Sequence, residues 1–141
     1  PHSFFPTVYA TITPNHGVSF VKAISSAIST SGAGLEIKSS FITFTEKLTK
    51  VYGNPRFVDT FIEGGMYNKV TEWMDSIIYK GRQYFSSWHV EDGLTLPNDL
   101  KSVFFTVIPE DSYSGFIHLE YYFNNNAAAE DEISALEDDA L

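Results

Sequence analysis

The sequence predicts an all-β protein, an antiparallel β-sandwich with one amphipathic helix, and the alternative class is α+β. Three observations carry this prediction. Short runs of alternating apolar and polar residues are separated by turn residues, one segment has helical spacing, and strands and helices do not alternate as a parallel sheet requires. With 141 residues, 43% of them hydrophobic, the chain can bury one core. We assign that core to a single domain over residues 1–126, followed by an acidic tail over residues 127–141.

The first strand is predicted over Thr7–Thr13, where alternation puts Val8, Ala10 and Ile12 on the buried face. Turn residues follow at 14–17. Residues 18–30 stay open, because a helical stripe of apolar residues competes with a composition rich in Ser, Thr, Val and Ile, which favours a strand.

Leu35–Lys50 is predicted to be a long strand with a bulge near residues 39–40. The apolar residues before that point share one parity and those after it share the other, which a one-residue bulge would explain. A turn at 52–55 and a short strand over Arg56–Glu63 follow. Beyond them, helical spacing and a glycine suited to a C-cap at Gly81 predict a helix over Met66–Lys80. The apolar stripe of that helix comprises Met66, Val70, Trp73, Met74, Ile77 and Ile78.

Three extended runs close the domain, over Gln83–Val90, Ser102–Ile108 and Gly115–Phe123. The second run is apolar at both parities, which is typical of a strand covered on both sides. In the last run, alternation sends one set of side chains inward and the other outward. The inward set is Ile117, Leu119, Tyr121 and Phe123, and the outward set is His118, Glu120 and Tyr122.

The charge pattern excludes some partners. The net charge of −9 comes mainly from residues 130–141, which carry six acids, and the rest of the chain has a net charge of only −3. The nine basic residues are scattered singly, so no Lys/Arg stripe could follow a phosphate backbone, and we expect no direct nucleic-acid binding by this segment. No apolar run approaches the roughly 20 residues that cross a bilayer, so no membrane partner is expected.

Few residues suggest chemistry. His118 and Glu120 lie two apart on one strand, about 7 Å from each other on the same face. They could form a metal pair or a base with its orienting carboxylate, but the sequence identifies no third ligand, so an exposed polar face is the better interpretation. Cysteine is absent, and the adjacent acids at 91–92 and 110–111 lack the spacing of a calcium loop. We therefore predict no catalytic residue, no cofactor and no metal.

The aromatic content points instead to an interface. Eight Tyr and twelve Phe exceed what one core of this size needs, and Phe4, Phe5 and Tyr122 are candidate contact residues. In the tail, Ile133 and Leu136 share a helical face that could dock on a neighbouring subunit. Homotypic contacts are the expected mode of action.

Residues Ser114–Phe123, a Gly followed by alternating apolar residues and a Glu-Tyr pair, resemble the closing strand of jelly-roll capsid proteins of small icosahedral RNA viruses. The resemblance covers about the last 60 residues. It implies a jelly-roll-like sandwich, a virion location and self-assembly as a shell subunit or projecting domain, with copies of itself and other virion proteins as partners.

Two further readings compete. A strand-rich first half, a helix containing residues 73–77 and closing strands are similar to phage tail-tube proteins. Outside the viral class, a carbohydrate-binding β-sandwich would use Trp88 and exposed Tyr residues as a sugar platform, and a small hydrolase would use His118 with Glu120.

Overall fold

A computed structural model describes residues 2–141, which form one seven-stranded antiparallel sheet and three α-helices. The strands are β1 Thr7–Thr13, β2 Gly17–Ile24, β3 Ile28–Ser29, β4 Arg56–Phe61, β5 Arg82–His89, β6 Leu100–Asp111 and β7 Ser114–Phe123. The helices are α1 Leu35–Tyr52, α2 Trp73–Ile78 and α3 Asn126–Asp139. Short 3-10 turns lie at Val70–Glu72 and Val90–Asp92.

The strand order is β1-β2-β7-β6-β5-β4, and β3 pairs with β7 off this path. Every neighbouring pair is antiparallel, so the edge strands β1 and β4 run in opposite directions. The prediction of a mostly antiparallel β fold is confirmed. The strands described over residues 2–141 make one sheet, so the second layer of the expected sandwich is not seen among them, and the α+β alternative describes the arrangement equally well.

The segment expected to be a long strand, Leu35–Lys50, is instead helix α1, and that prediction is wrong. Its buried side chains are spaced for a helix, at Ile37, Phe41, Phe44 and Leu48. The apparent change of parity came from this spacing rather than from a bulge. Gly34 precedes the helix in the left-handed region, with φ 70°.

Helix α1 packs on one face of the sheet, called here the inner face. The Phe41 ring stacks on Phe105 of β6 with centroids 4.8 Å apart, and it also lies 4.7 Å from the ring of Tyr84 on β5. The inner-face residues Val103, Phe105, Val107, Ile117 and Leu119 complete the core. Strand β6 is therefore buried on one side only, because Phe104 is half-exposed and Ile108 is exposed on the other. The expectation that this strand is covered on both sides is wrong.

The helix predicted over Met66–Lys80 exists only in part. Met66 and Val70 are exposed, and regular α-helix begins at Trp73 and ends at Ile78. Trp73 and Met74 are buried as expected, and the Trp73 ring meets Tyr84 edge-on at 4.9 Å on the inner face. The turn after α2 is made by Lys80, whose φ is 58°, rather than by a cap at Gly81.

The first strand was correctly placed, but the burial predicted for its apolar residues is wrong. Val8, Ala10 and Ile12 are exposed, since β1 is an edge strand and pairs only with β2. Residues 18–30, left open by the sequence, form β2 and the short β3.

The acidic segment is helical and begins against the body of the same chain. Ala129 is fully buried, and the Asn125 side chain donates to the backbone carbonyls of His16 and Val18. A carboxylate oxygen of Glu132 accepts from the Asn15 backbone N–H at 2.8 Å, and the carboxylate also pairs with His16. None of the helices described over residues 2–141 is long and apolar enough to span a membrane.

Candidate interaction surface

The sheet face opposite α1 is called here the outer face. It carries most of the aromatic, charged and polar side chains that could contact a partner. Register places one ladder of side chains across it: Lys22 lies opposite Glu120, Glu120 opposite Phe104, and Phe104 opposite Ser87. Helices α1 and α2 pack on the inner face, and α3 packs at the β1–β2 turn. Within the described residues, the centre of the outer face is therefore left without a second layer.

Aromatic side chains form two pairs on this face. Phe20 and Tyr122 lie 5.0 Å apart between ring centroids, and Phe85 and Phe104 lie 4.9 Å apart. All four side chains are half-buried. Such pairs contribute about 0.5–1.5 kcal/mol beyond their buried area, so they would hold the face in one shape before a partner arrives.

The structure puts His118, Glu120 and Tyr122 together on the outer face, as alternation predicted. The Tyr122 hydroxyl donates to a carboxylate oxygen of Glu120 at 2.9 Å. Burial and this hydrogen bond raise the pKa of Tyr122 to about 12. Burial, helped by the charge of Lys22 and opposed by that of Glu120, lowers the pKa of His118. The lowered pKa favours the neutral form of the His118 ring, and one carboxylate oxygen of Glu120 is occupied by the Tyr122 hydroxyl.

No group of three or more His, Cys, Asp or Glu side chains within residues 2–141 is placed to hold a metal ion. The pair at His118 and Glu120 thus has no third ligand in the described part of the chain.

A depression of about 420 Å³ lies at the β4–β5–β6 end of the outer face. Its lining includes the small side chains of Ser87 and Ser102, together with Phe104 and Arg56. His89 also lines it. The Nδ1 atom of His89 accepts from the Glu91 backbone N–H at 3.0 Å, which leaves the proton of the neutral ring on Nε2. Hydroxyl, imidazole and guanidinium donors beside an aromatic wall suit a small polar molecule.

Trp88 is not available as a binding platform. It is 0% exposed, and its indole N–H donates to the carbonyl of Gly53 at 2.7 Å. The expectation that it forms a sugar platform is wrong, because its parity places it on the inner face beneath α1.

The other candidate contact residues are divided between core and surface. Phe5 is buried and meets Phe44 edge-on at 4.9 Å, so it belongs to the core, while Phe4 is half-buried beside it. On α3, Ile133 is half-buried and Leu136 is exposed.

Two apolar recesses lie beside α1, and the sequence does not predict them because its composition favours a strand over this segment. One, of about 480 Å³, is called here the edge groove and lies between α1 and the edge strand β4. Its walls include Phe41, Ile42 and Phe57. The other, of about 370 Å³, lies between α1 and strands β1 and β2, and Val8 and Val21 are among its lining residues.

No family model, no curated protein and no solved structure matches this chain.

Proposed function

We propose that the protein is a non-catalytic structural protein that assembles with copies of itself, and that the outer face is its main contact. The observation that carries this proposal is an uncovered sheet face bearing two aromatic pairs, Phe20–Tyr122 and Phe85–Phe104. A soluble monomer has no structural need for paired aromatics on an uncovered face, whereas interfaces are enriched in Tyr and Phe.

A second copy is the occupant that the charges favour. The cross-strand neighbours Lys22 and Glu120 are of opposite sign and lie in the row next to the Phe20–Tyr122 pair. When two such faces pack about a two-fold axis, each Lys22 can meet the Glu120 of the other copy, so the face complements itself.

The dimensions suit such a contact. Six strands about 4.8 Å apart and five residues at about 3.4 Å give a face of roughly 500 Å² in projection. That projected area is more than half of the roughly 800 Å² that each partner buries in a standard interface. Two sheets packed about 10 Å apart make a β-sandwich. In this proposal the second layer of the sandwich expected from the sequence comes from the other copy.

The specific form of the proposal is a subunit of a virus particle, either a capsid shell, a projecting domain or a tail-tube-type component. The support for this form is the resemblance of residues 114–123 to capsid closing strands, together with a surface suited to self-association. Copies of the same chain and other virion proteins are the proposed partners.

The depression beside Arg56 favours one second candidate, a carbohydrate-binding module. Phe104 and Tyr122 would take the place of Trp88 as the aromatic surface, and the hydroxyls of Ser87 and Ser102 would bond the sugar. In this alternative the protein stays monomeric and binds glycans.

Sedimentation velocity over a range of concentrations tests the proposal. The wild type and Met66→Lys, which places the same charge at an exposed loop position, should associate equally. Phe104→Lys should weaken the face-to-face contact at least tenfold, since it puts a charge in the centre of that contact. Electron microscopy of the associated sample tests the viral form, for which rings, tubes or shells are expected. A wild type that stays monomeric and binds a glycan would overturn self-assembly and support the second candidate.

A further inference from the structure

The two edges of the sheet form a complementary pair. Six strands lie across the sheet and each neighbouring pair is antiparallel, so β1 and β4 run in opposite directions. A second copy in the same orientation, placed beside the first, therefore brings its β1 antiparallel to β4. Its inner face also continues the inner face of the first copy.

Strand β1 lacks the charges and prolines that often protect a free edge, and its one irregularity is a register shift against β2 between Thr11 and Ile12. Thr7–Thr13 contains no charged residue and no proline, and five of its seven residues are β-branched Thr, Val or Ile. Natural edges are commonly blocked by lysines, prolines or inward-pointing charges, and an unblocked uncharged edge is a template for pairing with another strand. Val8 is 49% exposed on the inner side of this edge.

Strand β4 offers the matching edge. The Ile62 backbone N–H, just after β4, donates toward β5 to the carbonyl of Gly81 at 2.8 Å. By alternation, the backbone groups of Phe57, Asp59 and Phe61 point to the free side. Three residues, each with one N–H and one carbonyl, can form about six hydrogen bonds to an added strand.

The edge groove lies beside this free edge. Phe57 is 52% exposed and Ile42 on α1 is 51% exposed, and both line the groove. A strand added to β4 would direct alternate side chains toward α1. With β1 as that strand, Val8 and Ala10 of the incoming copy cover the groove, so one contact buries apolar surface on both edges.

We infer that the β1 edge of one copy pairs with the β4 edge of the next and extends the sheet from subunit to subunit. This contact joins different surfaces, so it generates a ring or an open chain rather than a closed dimer. Six strands at about 4.8 Å set neighbouring copies about 29 Å apart along the extended sheet. This edge-to-edge contact is separate from the face-to-face contact and involves none of the outer-face side chains.

Two pairs of variants test the inference, all carrying Phe104→Lys so that outer-face dimers do not contribute. Ala10→Lys blocks β1, and its control Ala10→Thr keeps an uncharged strand former. Asp59→Pro removes a backbone N–H on the free side of β4. Its control Asp59→Ala loses the same ion pair with Arg82 but keeps that N–H.

The measurement is sedimentation velocity with circular dichroism as the check of folding. The parent and both controls should form species larger than dimers with rising concentration, and each blocked variant should sediment as a monomer. An equimolar mixture of the two blocked variants should form a 1:1 dimer, because each still has one open edge. A parent that stays monomeric, or a mixture in which only one variant dimerises with itself, overturns the inference and leaves the face-to-face proposal standing.

Discussion

Replacement of Phe41 by alanine tests whether residues 35–52 form a helix on the sheet. The side chain is fully buried, with the rings of Tyr84 and Phe105 4.7 and 4.8 Å away between centroids. Loss of a core phenylalanine costs about 3–5 kcal/mol, since burial is lost and a cavity remains. In a domain of this size each kcal/mol lowers Tm by about 3 °C, so Phe41→Ala should melt about 9–15 °C below the wild type.

Ile42→Ala is the matched control. Ile42 is the next residue in the sequence, but about half of its side chain is exposed to solvent. Its truncation should therefore lower the free energy of unfolding by only about 1 kcal/mol. Urea unfolding followed by tryptophan fluorescence gives both free energies of unfolding. A strand over these residues would bury Ile42 and Phe44 together on the opposite side from Phe41. Equal losses for the two variants, or a larger loss for Ile42→Ala, would refute the helical packing.

Three further changes have defined outcomes. Gly34→Ala should lower Tm by several degrees, because a Cβ there would overlap the Trp73 ring and because the backbone at this residue has a positive φ. An unchanged Tm in calorimetry would contradict this prediction. His118→Gln should flatten the pH dependence of stability just below pH 6.5. The folded-state pKa of His118 is depressed, so its contribution is present above the unfolded pKa and is lost as pH falls toward the folded pKa, which urea unfolding at pH 5 and pH 7 would show. Glu132→Gln should speed hydrogen exchange of the backbone amides in the first turns of α3, since the neutral side chain loses its ion pair with His16. Exchange is measured by mass spectrometry. Unchanged rates would mean that burial of Ala129 alone fixes the start of α3 against the sheet.

The sequence predicted strands best where alternation was strict and the strand was central. Residues 115–123 alternate without interruption, and both their strand structure and the direction of their side chains were correct. At β1 the alternation was equally clear, but burial depends on whether a strand lies at an edge, which only non-local pairing decides.

Helix α1 was missed because composition outweighed spacing. The segment contains several Thr, Ser and Ile residues, which favour strands, although Ile37, Phe41, Phe44 and Leu48 are spaced for a helix. Tertiary packing under the sheet overrides these weak local preferences. A count of helical positions across the whole window would have detected the signal.

The candidate site was predicted only in part for the same reason. His118, Glu120 and Tyr122 share one strand, so local alternation was enough to bring them together. The depression needs Arg56, His89 and Ser102 from three strands, and their register is set by pairings that the sequence does not display.

The most direct test of the central claim is the distance between outer faces in the associated protein. The chain has no cysteine, so Ser87→Cys and Thr43→Cys each give a single site for a spin label, the first on the outer face and the second on the exposed side of α1. Two sheets about 10 Å apart should place the Ser87 labels within about 20 Å of each other. Within a face-to-face pair, labels at Thr43 should lie more than about 30 Å apart, because two helices of about 10 Å diameter separate them from the contact. Double electron–electron resonance with the reverse order, short distances at Thr43 and long ones at Ser87, would contradict assembly through the outer face.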